Sequence, residues 1–340
     1  MKNVLRGLAT VMAAALVATG CSSGAQPSQT GSAGASGAPQ KVFKLGHIAA
    51  PDTAYDNFAK DFKQRLEEKS GGRYSIQIYP AGQLGVDREL MESLQNGNVD
   101  MTIITASDIN QFVPDMAVQD LPFVFRDWDH VEKYLASPAA TELFSLTDAV
   151  GMKTLAFMPR GFRNVTSNIK PINTPDDLKG LKIRVAESEV YIQTFKALGA
   201  NAQAMAWGEV FTALQQKTID AHENTVVTTR DYKIYEVQKY MSETQHFFAF
   251  AALQMNLNQF KGLSEADQKM IQEAATVAAK EMGLKQKNAE ATAKAEMEAK
   301  GMVFNAVADK APFKARVQPV IEDYFKKHDK KYYDAIQAIQ

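Results

Sequence analysis

Residues 180–200 read GLKIRVAESEVYIQTFKALGA. Leu181, Ile183 and Val185 mark a short buried strand, and the residues after it form an amphipathic helix. Arg184 sits among those apolar residues. Side chains alternate along a strand, so Arg184 points away from Ile183 and Val185. Three destinations fit it: solvent, an internal carboxylate such as Asp177 or Glu187, or a ligand. The strand by itself does not separate them.

The same strand-then-helix rhythm runs outward in both directions. KVFKLGHI (41–48) reads as a strand, followed by a helix over 54–70 with Tyr55, Phe58, Phe62 and Leu66 on one face and glycines at its end. RYSIQIYP (73–80) alternates Tyr74, Ile76 and Ile78 as a strand does. DRELMESLQNGN, VDMTII, DHVEKYLA and GMKTLAFM continue as helix, strand, helix and strand. Beyond Ala200, EVFTALQQKT reads as a helix and HFFAFAALQMN as a long apolar strand crossing between lobes. Residues 264–300 are rich in Ala, Glu and Lys, strong helix formers, with Gly283 a point of kinking or division. A last helix is broken or started at Pro319. The expected fold is α/β and two-lobed, with crossing strands, a long C-terminal helix and a cleft between the lobes. The expected boundaries are 41–160 for the first lobe and 161–250 for the second, with 251–340 as C-terminal helices and a strand returning across both.

The chain has 340 residues, with 38 basic against 39 acidic, so it carries no electrostatic footprint for nucleic acid. Its N-terminus reads as an export signal: Lys2 and Arg6, an apolar run from Leu8 to Ala18, small residues, then Cys21. Cys21 is the only cysteine, which excludes an intrachain disulfide. Ala18-Thr19-Gly20-Cys21 resembles a lipoprotein cleavage site, although alanine replaces the preferred leucine. The expectation is a signal peptide over 1–20, a lipid on Cys21, and a Gly/Ser/Ala-rich tether over 21–40. The membrane would then be met only through that lipid.

Signatures of catalysis are missing. The sequence holds no G-x-G-x-x-G after a strand, no Walker A loop, no H-E-x-x-H and no G-x-S-x-G. The histidines at 47, 130, 222, 246 and 328 stand at no metal-ligand spacing. His222 and Glu223 are neighbours on a strand and point apart. No cofactor, metal or enzymatic activity is expected.

Five stretches carry a family resemblance: YPAGQLGVDRELMESLQNGNVDM, LPFVFRD, GFRNVTSNIKPINTPDDLKGLKIRV, ALGANAQAMAWGEVFTALQQKTIDAHEN and YEVQKYMSETQHFF. In order and spacing, from Gly46 to Phe248, the chain resembles the extracytoplasmic solute-binding proteins of TRAP importers, the DctP-like family. The resemblance implies a non-enzymatic, monomeric protein that closes two lobes on a small organic acid and passes it to membrane permease subunits. It implies that Arg184 forms a two-pronged salt bridge with the ligand carboxylate, a task for which a rigid guanidinium suits better than a lysine. It places Arg163 beside that carboxylate, ahead of its neighbour Arg160, and Asn224 as the amide completing the contact. Trp207 becomes an aromatic wall excluding water from the salt bridge. His222 is read as a packed histidine and Glu223 as a structural partner, since a free carboxylate would repel an anion.

Specificity is expected from the first lobe. His47 ends the first strand near the cleft mouth. Asp87 falls where sialic-acid-binding relatives carry an acid, whereas Thr105 and Asp108 replace their acid and base, which argues against sialic acid. Glu189 and Tyr191 are secondary candidates for a distal polar group. Thr105, Ser107 and Asp108 offer hydrogen bonds rather than a second cationic clamp, which favours a sugar acid or hydroxy acid. The alternatives are a C4-dicarboxylate, an amino acid with its ammonium on Asp108, or, in another class, an exported enzyme acting on small carboxylates.

Overall fold

A computed structural model describes residues 40–340 of the chain. The expected signal, Cys21 and almost all of the expected tether lie outside the described residues. In chain order the elements are β1 (Lys41–His47), α1 (Ala54–Ser70), β2 (Tyr74–Tyr79), α2 (Asp87–Gln95), β3 (Met101–Thr105), α3 (Trp128–Leu135), α4 (Pro138–Ser145) and β4 (Met152–Ser167). There follow β5 (Lys182–Val185), α5 (Glu189–Ala197), β6 (Asn201–Ala204), α6 (Val210–Gln215), β7 (Ala221–Thr225), α7 (Val226–Asp231) and β8 (Tyr240–Asn256). The chain closes with α8 (Leu257–Lys261), α9 (Glu265–Ala299), β9 (Val303–Ala306), α10 (Ala311–Phe325) and α11 (Lys331–Gln337).

One sheet runs through the whole of this unit in the order β2-β1-β3-β8-β4-β7-β5-β6, with β9 added to β8. Its two ends are parallel: β1 pairs with β2 and β3, and β5 pairs with β6 and β7. Its middle is the antiparallel pair β4 and β8, of 16 and 17 residues. At ~3.3 Å per residue each is about 50 Å long, enough to belong to both halves. The far end of β8 pairs with β3, and the far end of β4 pairs with β7. The boundaries expected at 160 and 250 therefore fall inside strands shared by the two halves. Three register shifts interrupt the β4–β8 ladder, between Thr154 and Ala156, Pro159 and Gly161, and Arg163 and Val165. Bulges re-aim side chains, and Arg160 and Arg163 lie at two of them.

Burial explains the elements. Tyr55, Phe58, Phe62 and Leu66 of α1 are all buried, and the helix ends at Gly71 with φ +60°. Arg184 is buried along with Ile183 and Val185, so β5 is covered on both faces. The helix α9 is continuous over 35 residues and is not divided at Gly283. A Cβ there would stand 2.8 Å from Cδ of Pro159, so glycine is needed for α9 to approach the bulged stretch of β4. Pro319 lies inside α10 rather than at its end. It is on the exposed face, where water can replace the lost hydrogen bond to the carbonyl of Ala315.

These contacts set two effects against each other at Gly283. Alanine improves helix propensity by ~1 kcal/mol, whereas overpacking costs ~1–3 kcal/mol. The proline ring is rigid, so overpacking should win and Gly283→Ala should lower the stability measured by urea unfolding. A gain in stability would show that α9 moves off β4 without penalty.

Candidate functional site

A cavity of about 470 Å³ opens between the two halves of the sheet. Its walls come from the carboxyl ends of all six parallel strands. Ile48 and Ala49 follow β1, Ala81 and Gly82 follow β2, and Thr105 and Asp108 close β3. Ala186 and Glu187 follow β5, residues 205–208 follow β6, and Asn224 ends β7 with Thr228 beyond it. Ligands of open α/β sheets bind at such strand ends. The crossing strand β4 supplies the floor through Arg160 and Arg163.

Arg184 reaches this cavity from β5. Its Nε and Nη2 donate to the carbonyl of Met205 at 2.9 and 2.6 Å, which fixes the plane of the guanidinium. Its Cζ stands 5.7 Å from the ring of Trp207, which also packs edge-on against Tyr232. Among the described residues no carboxylate lies within salt-bridge distance of Arg184. Burial pulls its pKa down to about 10, so it stays charged at neutral pH. A buried cation without a counter-ion is costly, and a ligand carboxylate would offset that cost.

Arg163 has its counter-ion already. Nε donates to Oε2 of Glu223 at 2.5 Å, and Nη2 donates to Oε1 at 2.7 Å and to the Glu223 carbonyl at 2.8 Å. His246 Nε2 lies 3.3 Å from the same Oε2. Burial works to raise the Glu223 carboxyl, but Arg163 and His246 outweigh it and hold it down at about 2. The fork of Arg163 is thus spent largely on Glu223, although the residue still lines the cavity. Arg160 is different: Nη1 donates to the Tyr55 hydroxyl at 3.1 Å and Nη2 to Oγ1 of Thr228 at 2.8 Å, with no carboxylate in salt-bridge contact among the described residues.

Asn224 lines the cavity; its Oδ1 accepts from the backbone N–H of Thr225 at 2.9 Å, and its Nδ2 lies 3.5 Å from Nε2 of His222. Burial, then the nearby Arg184, depress the His222 pKa to about 3, so it is a neutral packed histidine. On the opposite wall Asp87 Oδ2 accepts from the backbone N–H of Thr105 at 3.1 Å. Asp87 and Asp108 both line this wall, each with a buried Oδ1 that has no hydrogen-bond partner among the described residues, and burial raises the pKa of both.

The structure therefore brings together Arg184, Arg163, Asn224, Trp207, Asp87, Thr105 and Asp108. Four of the expected residues lie elsewhere. His47 is fully buried with Nε2 3.4 Å from Oδ1 of Asp56 of α1, behind the cavity wall rather than at its mouth. Tyr191 stacks on Phe247 at 4.0 Å and backs Arg163, whose Cζ is 5.4 Å from its ring. Glu189 is exposed in the first turn of α5, accepts from Gln193, and lines a surface groove against α10. Ser107 is buried outside the cavity. Tyr55, Thr228 and Tyr232 were not singled out as site residues. Tyr55 carried a signal, because it opens the helix that follows a strand end. Among the described residues no cluster of three His, Cys, Asp or Glu side chains could hold a metal, and no helix is long and apolar enough to cross a membrane.

Residues 45–328 match the model of the family described as bacterial extracellular solute-binding protein, family 7, or DctP. The chain belongs to this family. A solute-binding protein of Verminephrobacter eiseniae is 36% identical over 84% of this chain and 84% of its own. The C4-dicarboxylate-binding protein DctB of Bacillus subtilis is 34% identical over 69% of this chain and 67% of its own. A TRAP periplasmic solute-binding protein of Bordetella bronchiseptica, with density assigned to pantoate, is 35% identical, with a TM-score of 0.84 over 88% of this chain and 99% of that one. A Polaromonas counterpart bound to D-erythronate is 32% identical, with a TM-score of 0.85 over 88% and 99%. The two-lobed α/β fold of this family 7 protein is that of the TRAP binding proteins. Such proteins bind small acids and work with membrane permease subunits; these relatives are binding proteins, not enzymes.

The ion pair beneath the cavity makes a stability prediction. Glu223→Gln leaves the Arg163 guanidinium buried and unpaired, which typically costs about 3–5 kcal/mol. Glu223 has a depressed folded pKa, so its contribution is complete above the unfolded value of about 4.3 and is lost as pH falls toward about 2. Urea unfolding should show the full deficit at pH 7 and a smaller one at pH 3. A deficit below about 1 kcal/mol at pH 7 would mean that Arg163 does not depend on Glu223.

Proposed function

We propose that this family 7 protein captures a small hydroxylated monocarboxylic acid outside the cytoplasmic membrane and delivers it to a TRAP permease. One observation carries the reading: Arg184 is buried at a strand end, oriented by the Met205 carbonyl, and among the described residues no carboxylate lies within salt-bridge distance of it. In the proposed complex the ligand carboxylate takes that place as a charge-assisted pair. Asn224 adds a donor, Arg163 adds field, and Trp207 covers the pair. Asp87, Thr105 and Asp108 meet hydroxyl groups further out. His47, Tyr191 and Glu189 have no direct contact in this reading, given their positions behind or outside the cavity.

Pantoate and D-erythronate, the acids attributed to the two solved relatives, each combine one carboxylate with hydroxyl groups. Arg160 favours one second reading, a dicarboxylate, since it is a further cavity guanidinium without a carboxylate in salt-bridge contact. The acid pair Asp87 and Asp108 weighs against it. We further propose that Cys21 carries a lipid and that the segment after it tethers a monomeric binding domain to the membrane.

A thermal-shift screen over aldonates, uronates, keto acids, C4-dicarboxylates and amino acids identifies the ligand by mass action. With the acid that raises Tm most, calorimetry on folded Arg184→Ala should show a loss of about 2–5 kcal/mol, with only partial rescue by lysine. An affinity within threefold of wild type would exclude the salt bridge. The chain has two tryptophans, Trp128 in α3 and Trp207 in the cavity wall. Ligand-induced fluorescence should survive in Trp128→Phe and vanish in Trp207→Phe. Equal signals in both variants would assign the change to closure rather than to contact at Trp207.

A further inference from the structure

Three guanidinium groups, Arg160, Arg163 and Arg184, line the cavity and are almost fully buried. Among the described residues the buried carboxyls that line the cavity or pair directly with these groups are also three: Asp87, Asp108 and the Arg163 partner Glu223. If all six were ionised, the site would be neutral and would hold no excess charge for an anion. Asp87 and Asp108 do not have the surroundings of two carboxylates. They line the same cavity wall, where each acts on the other's ionisation, and each has a buried Oδ1 with no hydrogen-bond donor among the described residues. Two interacting buried carboxyls resist ionising together, and a proton between them would satisfy both unpartnered oxygens.

We infer that Asp87 and Asp108 share a single proton in the binding-competent protein, and that this proton sets the specificity of the cavity for monoanionic, hydroxyl-bearing acids. With one proton the pair carries one negative charge, and these six buried groups keep one positive charge in excess, which a single carboxylate matches. The pair faces Arg160 from the Asp87 side and Arg184 from the Asp108 side, with the exposed Glu187 beyond. Its negative charge therefore offsets Arg160, the buried guanidinium that would otherwise clamp a second carboxylate; Arg88, the other cavity guanidinium, is exposed and pairs with Glu92. A carboxylic acid beside a carboxylate, Thr105 and the Tyr55 hydroxyl offers both donors and acceptors, the combination that sugar and hydroxy-acid hydroxyls need. Relative to a dicarboxylate site, the charge count differs by one proton only. The inference rests on the proposed role of Arg184, but the proton itself can be detected without any ligand.

The direction of the pH effect follows from the raised folded pKa of the pair. The folded protein holds a proton that the unfolded chain releases above about pH 3.9, so this contribution to stability is present at low pH and declines as pH rises through the folded value. Asp120 and Glu290, which burial raises to about 7, act in the same direction in every variant and cancel in a comparison. Asp108→Asn replaces the protonated acid by an amide and removes the shared proton. Infrared difference spectra of the ligand-free protein at pH 7, wild type minus variant, should show a protonated-carboxyl band lost in both Asp108→Asn and Asp87→Asn, whereas the contributions of Asp120 and Glu290 are common to all and cancel. Stability measured by urea unfolding should fall less steeply between pH 5 and pH 8 in Asp108→Asn than in wild type. Retention of the band in both variants, or parallel pH profiles, would overturn the shared proton. In thermal shift, D-glucuronate should stabilise wild type and succinate should not, and the double variant D87N/D108N should respond to succinate. Stronger stabilisation of wild type by succinate would overturn the charge selection. Undiminished stabilisation of Arg184→Ala by D-glucuronate would instead overturn the reading of the cleft, a result that leaves the infrared and pH arms unaffected.

Discussion

Burying three guanidinium groups around one cavity is the constraint that the rest of this structure answers. Each would cost several kcal/mol without compensation. Arg163 is neutralised by Glu223, with His246 on the far side of that carboxylate. Arg160 is held by two hydroxyls and faces the Asp87–Asp108 pair. Arg184 alone is left with carbonyl and aromatic contacts that orient it without neutralising it. A rigid fork aimed into a cavity is a poor way to stabilise a fold and a good way to recognise a carboxylate.

The sheet explains how these charges come to one place. The strands β4 and β8 are long enough to serve both halves, and the bulges along β4 fall where it passes between them. Arg160 and Arg163 sit at that passage, and Gly283 lets α9 brace it against Pro159. Arg184 arrives from the second half and Asp87 and Asp108 from the first. The cavity is thus lined by the two halves and floored by the strand they share, so a ligand bridging Arg184 and the acid pair would bridge the halves as well.

Most of the fold was legible because its signals are local. The strand–helix alternation, the buried face of α1 and the long α9 follow from periodicity and composition, and the family resemblance ordered them into two halves. Arg184 was legible only as a question, since burial on both faces of β5 is a tertiary fact. Charge compensation was the least legible part. Glu223 was correctly assigned a structural pairing, but its partner proved to be Arg163 itself, 60 residues away and across the β4–β7 ladder. Tyr191 and Glu189 follow a site strand directly, yet the turn into α5 carries them behind and away from the cavity. Gly283 and Pro319 read as breakers, but the close approach of Pro159 and an exposed helix face remove the reason to break.

A crystal structure of the protein with D-erythronate, or with whichever acid binds more tightly, tests the central claim most directly. The account predicts the ligand carboxylate within hydrogen-bond distance of both Arg184 and Asn224, beside Trp207, with hydroxyl groups directed at Asp87, Thr105 and Asp108. A carboxylate seated instead on Arg160, with Arg184 facing a hydroxyl or water, would contradict it.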